Sequence, residues 1–245
     1  MKCLILAAGY ATRLYPLTKN FPKPLLEVGG KTIADRLIDD ISSTGCVDTF
    51  IIVTNHRYAG AFETWAAGRR DDAVIVIDDG TVSNEGRLGA VKDIRFVVEK
   101  LGMDEDLFVV AGDNVLDFSL SHFLEYAREK VSTCIMRYYE PDVLRLRRCG
   151  VIELGEDDLV LGMQEKPEDP RSHWCCPPFY YFTREAIGKL DEGILAGCGT
   201  DSPGAFVSWL VDQVPVYALE MPGKRYDIGD LESYTKVCNE YEGIL

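Results

Sequence analysis

The first 26 residues contain cationic side chains and no acidic ones, in a chain whose formal net charge is −14. This segment contains Lys2, Arg13, Lys19 and Lys23. An arginine can hold two phosphate oxygens in one fork, and a lysine can place a point charge on a third. Arg13 and Lys23 therefore favour a site for a polyphosphate. The alternative is a surface loop whose charges are solvated.

The loop that carries these cations follows the apolar stretch CLILAAG at 3–9, which is typical of a buried strand. Gly9 permits a sharp turn and a close approach to a ligand. Backbone amides after such a strand can form an anion-binding nest. Pro16, Pro22 and Pro24 stiffen the loop, so less ordering entropy is lost on binding. The segment matches neither GxxxxGK[ST] nor GxGxxG, which excludes a P-loop and a dinucleotide fingerprint.

Two aspartates stand where a polyphosphate site would need a metal. Asp113 lies in VVAGDN, directly after an apolar strand, and Asp227 lies in the turn GKRYDIGD. Mg²⁺ takes few protein carboxylates and keeps phosphate oxygens and water as its other ligands. The pair therefore predicts a Mg²⁺ site, with turn or helix capping as the alternative role. Asp230 is predicted to cap the helix that follows it.

A further charged pair, Glu165 and Lys166, ends the predicted strand before Pro167. A carboxylate accepts hydroxyl protons and an ammonium binds phosphate, so the pair suits a hydroxylated, phosphorylated ligand. Taken alone, such a pair is also common on ordinary protein surfaces.

The elements that would position these residues alternate in type. Apolar runs predict strands at 3–9, 48–55, 73–78 and 106–114, and helical periodicity predicts helices within 31–45, 58–67 and 86–102. Continuous apolar strands alternating with helices indicate an α/β fold with a mostly parallel central sheet, whose ligands bind at the carboxyl ends of the strands. After residue 130 strands dominate, with helices predicted at 183–191, 202–212 and 230–242. We expect one domain, 1–245, made of two halves, 1–130 and 131–245, of which the second is specialised.

Composition and charge exclude several kinds of partner. The acidic balance argues against nucleic acid as a partner, because such binding needs an extended basic face. No apolar run approaches the roughly 20 residues that span a bilayer, so no membrane partner is expected. The apolar run near the N-terminus is predicted to be a strand and not a signal peptide, and the protein is expected to be cytoplasmic. The eight cysteines lack metal-binding spacing, and His56, His122 and His173 need no catalytic role.

Four motifs in register resemble the sugar-1-phosphate nucleotidylyltransferases, the group that contains glucose-1-phosphate thymidylyl- and uridylyltransferases. They are LILAAGYATRLYPLT…FPKPLLEV, VVAGDN, CGVIEL…GMQEKPEDP and YDIGDLESY. The resemblance extends from residue 1 to about residue 240. It implies a Rossmann-like three-layer α/β sandwich with a mixed central sheet, of the nucleotidyltransferase (GT-A-like) type. It also implies that a sugar-1-phosphate attacks the α-phosphorus of a nucleoside triphosphate and releases pyrophosphate.

The resemblance implies roles for individual residues. Arg13 would hold the triphosphate, Lys23 would steady the phosphates in the transition state, and Asp113 and Asp227 would bind Mg²⁺. The nucleotide would be held by Leu6, Ala7, Ala8, Gly9, Asn84 and Gly89. The acceptor would be contacted by Gly150, Glu165 and Lys166. The nucleophile is already an anion, so alignment and charge neutralisation suffice without a general base.

Two alternatives use the same fold. The segment SHWCCPPFYYF departs from the family pattern, and Trp174, Tyr180 and Tyr181 could wall a site for the quaternary ammonium of phosphocholine, as in the related cytidylyltransferases. Packing of these rings in the core is the simpler expectation. A non-catalytic protein that binds nucleotide sugars is the other alternative. The base, the acceptor and the oligomeric state are left open.

Overall fold

The computed structural model describes residues 1–69 and 73–244. Its strands are β1 Lys2–Ala7, β2 Glu27–Val28, β3 Lys31–Thr32, β4 Thr49–Thr54, β5 Val74–Asp78, β6 Leu107–Ala111, β7 Asn114–Leu116, β8 Thr133–Tyr139, β9 Gly150–Leu154, β10 Val160–Glu165, β11 Trp174–Cys176, β12 Phe179–Phe182, β13 Val216–Glu220 and β14 Arg225–Asp227. Its α-helices are α1 Ile33–Ser43, α2 Ala59–Gly68, α3 Ala90–Leu101, α4 Ser121–Lys130, α5 Val143–Leu146, α6 Arg184–Gly188, α7 Leu190–Leu195, α8 Pro203–Leu210 and α9 Leu231–Glu240. In this part of the chain, no helix is long and apolar enough to cross a membrane.

The backbone divides into two compact units that interleave along the chain. Unit 1 is formed by Met1–Arg87, Val110–His122 and Pro222–Leu245. Unit 2 is formed by Leu88–Val109 and Phe123–Met221.

Unit 1 contains parallel strands in the order β1, β4, β5. Leu4 pairs with Ile51, which pairs with Ile75 on its other side. Helix α1 begins at a cap where the Thr32 hydroxyl accepts a hydrogen bond from the backbone of Asp35. The helix predicted within 31–45 is confirmed, and the apolar residues at helical spacing in it are all buried: Ile33, Ala34, Leu37, Ile38 and Ile41. Helix α1 contacts β7 and the turn Lys23–Leu25, the two segments next to the predicted cation and metal residues.

Unit 2 is organised around β8, which pairs in parallel with β13 and antiparallel with β11 and β12. Strand β9 pairs antiparallel with β10 and β11. Helix α8 packs on β10, and α7 packs on α8. Each unit thus contains both parallel and antiparallel strand pairs, which agrees with the mixed sheet that the resemblance implies. The α/β class predicted from the sequence is confirmed.

Element boundaries differ from the prediction where backbone geometry intervenes. The helix predicted from residue 86 begins at Ala90, because Gly89 has a φ of 90° that no helix interior accepts. The helix predicted at 183–191 is divided into α6 and α7. In α9, apolar residues spaced for one helical face, Leu231, Tyr234, Cys238 and Tyr241, would be expected to be buried, but Leu231 and Cys238 are exposed while Val237 is buried. Helix α9 packs against the short strand β14, which covers little of its surface.

Candidate active site

The loop after β1 is fixed to its surroundings through its carbonyl groups. The side-chain amide of Asn55 donates to the carbonyl of Ala8 over 3.0 Å. The Thr18 hydroxyl donates to the carbonyl of Ala11 over 2.7 Å, and Ala11 has a left-handed φ of 45°. With these carbonyls turned toward the protein, the loop amides are suited to face an anion.

Leu6 and Ala7 are the last residues of β1, and both precede this loop directly. The Leu6 carbonyl accepts a hydrogen bond of 3.0 Å from the backbone of Gly112. The strand end that carries the predicted nucleotide-binding residues is therefore tied to the segment that carries Asp113.

Gly9 is exposed, and its backbone does not require a glycine. Its φ is outside the left-handed range, and a Cβ built at this position would meet no protein atom within 4 Å. Neither conformation nor internal packing therefore explains the missing side chain. Close approach of a ligand, the reason predicted from the sequence, is the explanation that fits this geometry.

Arg13 is exposed and lies beside the turn that follows Asp227. Its guanidinium nitrogens are 3.8 and 3.9 Å from the position that a Cβ of Gly229 would take. The fork therefore lies on the side of Asp227, close enough to influence its charge.

Lys23 is the most tightly engaged of the predicted cations. It lies in a one-turn 3₁₀ helix, Lys23–Leu25, that begins after Pro22. Its ammonium donates to Asp113 Oδ2 over 2.7 Å and to the carbonyl of Ile228 over 2.6 Å. Only 14% of its side chain is exposed. In the ligand-free protein Lys23 therefore neutralises a predicted metal ligand, a contact that the sequence did not predict.

Asp113 and Asp227 are brought together by a two-stranded antiparallel ribbon. Strand β7 pairs with β14 so that Asp227 lies opposite Asn114, the residue after Asp113. The backbone of Ile228 donates to the carbonyl of Asp113 over 3.2 Å, which extends the pairing by one step. Two aspartates separated by more than a hundred residues thus share one end of the ribbon.

The pKa values of the two carboxyl groups are shifted in opposite directions. Burial acts to raise the pKa of Asp113, but the charge and hydrogen bond of Lys23, together with the charge of Arg225, outweigh it and hold this pKa below its ordinary value. Partial burial, followed by the negative charge of Asp113, raises the pKa of Asp227, although 57% of the Asp227 side chain is exposed. The two carboxylates therefore interact electrostatically.

The predicted acceptor residues meet in unit 2. Glu165 pairs directly with Gly150 across β9 and β10. The Ser202 hydroxyl donates to Glu165 Oε1 over 2.7 Å. A Cβ at Gly150 would clash with the side chain of Met163 and would lie 3.2 Å from Glu165 Oε2. Gly150 thus leaves room for the Glu165 carboxylate, which Ser202 holds in one orientation.

Lys166 is held in an uncommon backbone conformation, with a φ of 49°. Its backbone donates to the carbonyl of Cys149 over 3.0 Å, and its ammonium is 3.8 Å from Glu165 and 3.9 Å from Asp201. A left-handed backbone at a non-glycine residue costs roughly 1–3 kcal/mol and is concentrated at functional sites. The prediction that Glu165 and Lys166 act as a pair is consistent with this geometry.

The two residues predicted to contact the base are placed differently. Asn84 is half-buried in unit 1, and its carbonyl accepts a hydrogen bond from Arg87. Gly89 is buried in unit 2, where a Cβ would clash with the carbonyl of Thr200. Packing alone therefore explains the glycine at 89. Its base contact stays a prediction, as does that of Asn84.

The three aromatic residues do not form an ammonium-binding wall. Tyr180 and Tyr181 are only 3% and 6% exposed, and the Tyr181 hydroxyl donates to Asp106 over 2.6 Å. The face of Trp174 is covered by the guanidinium of Arg137, whose Cζ is 5.0 Å from the ring centroid. The expectation of core packing is confirmed for the tyrosines. The phosphocholine alternative loses the observation that motivated it.

Three residues that were not predicted from the sequence contact the predicted ones. Asn114 donates to Asp113 Oδ1, Arg225 donates to Asn114, and Ser202 donates to Glu165. The proximity of Asn114 and Arg225 to the two aspartates in sequence was an available signal. Ser202 is 37 residues from its partner, and no local pattern marks it.

A family model described as Nucleotidyl transferase matches residues 2–243. Glucose-1-phosphate adenylyltransferase of Clostridium novyi is 26% identical over 95% of this chain and 64% of its own length. The chain spans about half to two thirds of the length of the curated relatives it matches.

Two solved structures share the fold. A UDP-glucose pyrophosphorylase complexed with UDP-glucose superposes with a TM-score of 0.80 at 22% identity, covering 98% of this chain and 97% of that one. A UTP-bound UGPase from Acinetobacter baumannii superposes with a TM-score of 0.78 at 18% identity, covering 98% and 92%. The predicted nucleotidyltransferase-type α/β fold is confirmed.

Proposed function

Since the chain belongs to the nucleotidyl transferase family, we propose that it transfers a nucleoside monophosphate from a nucleoside triphosphate to a sugar-1-phosphate and releases pyrophosphate. The observation that carries this proposal is the cluster in unit 1, where Lys23 and Arg13 lie beside the paired carboxylates of Asp113 and Asp227. Relatives named for glucose-1-phosphate nucleotidyl transfer support the choice of acceptor class.

In this reaction the chain's own residues align and neutralise anions. Arg13 would hold the triphosphate, while the amides of the loop at Gly9 bind beside it. The Lys23 ammonium would exchange its contact with Asp113 for the phosphate undergoing transfer, where negative charge increases in the transition state. The phosphate nucleophile needs no general base, which fits a site built from cations and carboxylates.

The donor set fits Mg²⁺. Within residues 1–69 and 73–244, no group of three or more His, Cys, Asp or Glu side chains could hold a metal. Mg²⁺ does not need such a group, because it binds through one or two carboxylates and completes its shell with water and phosphate. Asp113 and Asp227 would supply those carboxylates. Bound there, Mg²⁺ would supply neutralisation of phosphate charge.

The acceptor would bind in unit 2. Glu165, oriented by Ser202, accepts hydrogen bonds from sugar hydroxyls, and Lys166 contacts the phosphate. We further propose that residues 1–245 act as one domain, with nucleotide binding centred on residues 1–130 and acceptor binding on 131–245. The cytoplasmic location and the absence of nucleic-acid and membrane partners stay predictions of the sequence.

Pyrophosphate release is the test. The purified protein is incubated with Mg²⁺, each common nucleoside triphosphate and a panel of sugar-1-phosphates. We expect turnover with at least one pair and its loss in Asp113→Ala. Glu232→Gln, which changes one exposed carboxylate on α9, serves as the control. Nucleotide-sugar binding without pyrophosphate release from any pair would contradict the proposal and favour a non-catalytic binding protein.

A further inference from the structure

One arginine is connected to both proposed metal ligands in unit 1. Arg225 Nη1 donates to Asn114 Oδ1 over 2.6 Å and lies 3.7 Å from Asp227 Oδ2. The Asn114 amide in turn donates to Asp113 Oδ1 over 2.8 Å. We propose that Arg225 and Asn114 are positioning residues that orient the two carboxylates for a divalent cation. This inference rests on the metal-binding part of the proposed function.

The side chain that links them is fixed on both sides. Asn114 is fully buried, and its Nδ2 donates to the carbonyl of Ala111 as well as to Asp113. Its Oδ1 can then only accept, and Arg225 supplies the donor. The amide therefore has one orientation that satisfies every contact. Arg225, itself only 15% exposed, stabilises that orientation from the Oδ1 side.

The consequence is a carboxylate with a fixed direction. Asp113 Oδ1 accepts from Asn114, and Oδ2 accepts from Lys23. When the Lys23 ammonium exchanges its place for a cation, Asn114 still holds the carboxylate through Oδ1. Groups that hydrogen-bond to a metal ligand in this way typically contribute about 10–100-fold to metal affinity.

A role of Arg225 through its charge alone and a role in positioning Asn114 predict opposite changes in the affinity for a divalent cation when Arg225 is replaced. If Arg225 acted only through its charge, Arg225→Met would bind a divalent cation more tightly, because one repelling positive charge is gone. If Arg225 positions Asn114, both Arg225→Met and Arg225→Lys would bind it more weakly. The lysine variant keeps the charge, but its shorter side chain and single ammonium do not place a donor where Nη1 contacts Asn114 and Asp227.

The experiment measures binding of Mn²⁺ alone, without nucleotide or acceptor, from the electron paramagnetic resonance signal of the free ion. We expect both Arg225 variants to raise the dissociation constant about 10–100-fold. Lys224→Met is the matched control, since it removes the same charge one residue earlier from a side chain that is 55% exposed. Its dissociation constant should stay within about twofold of the wild type.

A double-mutant cycle tests whether the effect passes through Asn114. Adding Asn114→Ala to Arg225→Lys should weaken Mn²⁺ binding little further, because both changes break one chain of contacts. Thermal melts identify any variant that is unfolded. If another variant is unfolded, the Mn²⁺ dissociation constant of Arg225→Lys is compared with that of the wild type. Tighter binding by Arg225→Met, unchanged binding by Arg225→Lys, or additive effects would each overturn the inference.

Different results would refute the proposed function and the positioning role of Arg225. Absence of pyrophosphate release with normal, Arg225-dependent Mn²⁺ binding would refute the transferase reaction and leave the positioning role intact. Turnover without any Mn²⁺ binding by the wild-type protein alone would overturn the positioning role.

Discussion

Lys23→Met should separate two roles of one ammonium. In the ligand-free protein the ammonium makes two charge-assisted hydrogen bonds, to Asp113 and to the carbonyl of Ile228. Hydrogen bonds to charged groups contribute about 1.5–3 kcal/mol each when well shielded. Since 32% of the Asp113 side chain is exposed, solvent screening reduces this value, and we expect the variant to lose about 1–3 kcal/mol of unfolding free energy in total.

The stability loss should depend on pH and on metal. Lys23 helps to hold the pKa of Asp113 below its ordinary value, so its stabilisation is present above the ordinary carboxyl range and is lost as the pH falls through the lowered pKa. The stability difference between wild type and variant should therefore shrink in acid. Mg²⁺ should also shrink it, because a bound cation replaces the missing positive charge beside Asp113 and Asp227.

Turnover should report the second role. If the ammonium moves to the transferring phosphate, its removal should lower turnover roughly a hundredfold to a thousandfold, the scale for one preorganised charge-stabilising donor. The Michaelis constant for the nucleotide should change little. Thermal melts in chelator and in Mg²⁺ are combined with steady-state kinetics, and Lys19→Met in the same loop is the control. Unchanged turnover with a raised Michaelis constant would refute the reasoning and make Lys23 a steering charge.

Three other predictions follow from single contacts. Gly9→Ala should leave the melting temperature unchanged, because a Cβ at this position meets no protein atom. The same substitution should raise the dissociation constant for the nucleotide, measured by titration. Gly60→Ala, at a position that is equally open, is the control. Gly204→Ala places a Cβ against the Glu165 carboxylate and should raise the Michaelis constant for the acceptor more than that for the nucleotide, while Gly188→Ala should not. Burial and the negative charge of Asp113 raise the pKa of Asp227, so protons should compete with the metal for this carboxylate as the pH falls toward the carboxyl range. The Mg²⁺ concentration that gives half-maximal activity should therefore increase in acid. If that concentration did not depend on pH, Asp227 would be excluded as a ligand.

Local sequence patterns predicted the elements of unit 1 well. The burial of α1 follows from apolar residues at helical spacing, and the strands β1, β4 and β5 follow from continuous apolar runs. Asp230 was predicted as a helix cap, and its side chain accepts from the backbone of Ser233 over 2.8 Å. Each of these features depends on residues that are near each other in sequence, where propensity and periodicity act directly.

Contacts between distant segments were not predictable in the same way. The sequence indicated that Lys23 was a free charge aimed at a phosphate, but its ammonium binds Asp113, 90 residues away. The orientation of Glu165 by Ser202 likewise depends on how a helix packs on a strand. Periodicity describes which face of an element is buried, and it does not identify the partner side chain across the interface.

The same contacts explain how an acidic protein keeps a purely cationic first segment. Of these cations, Lys23 binds Asp113 directly, and Arg13 lies close enough to Asp227 and Asp230 to favour their charged forms, so both positive charges are partly compensated in unit 1 without a ligand. Arg225 adds a further cation beside Asp227. A divalent cation bound to the carboxylates would release Lys23 and leave a strong local excess of positive charge. A polyphosphate would then be attracted to unit 1 only in company with its metal, despite the net negative charge of the chain.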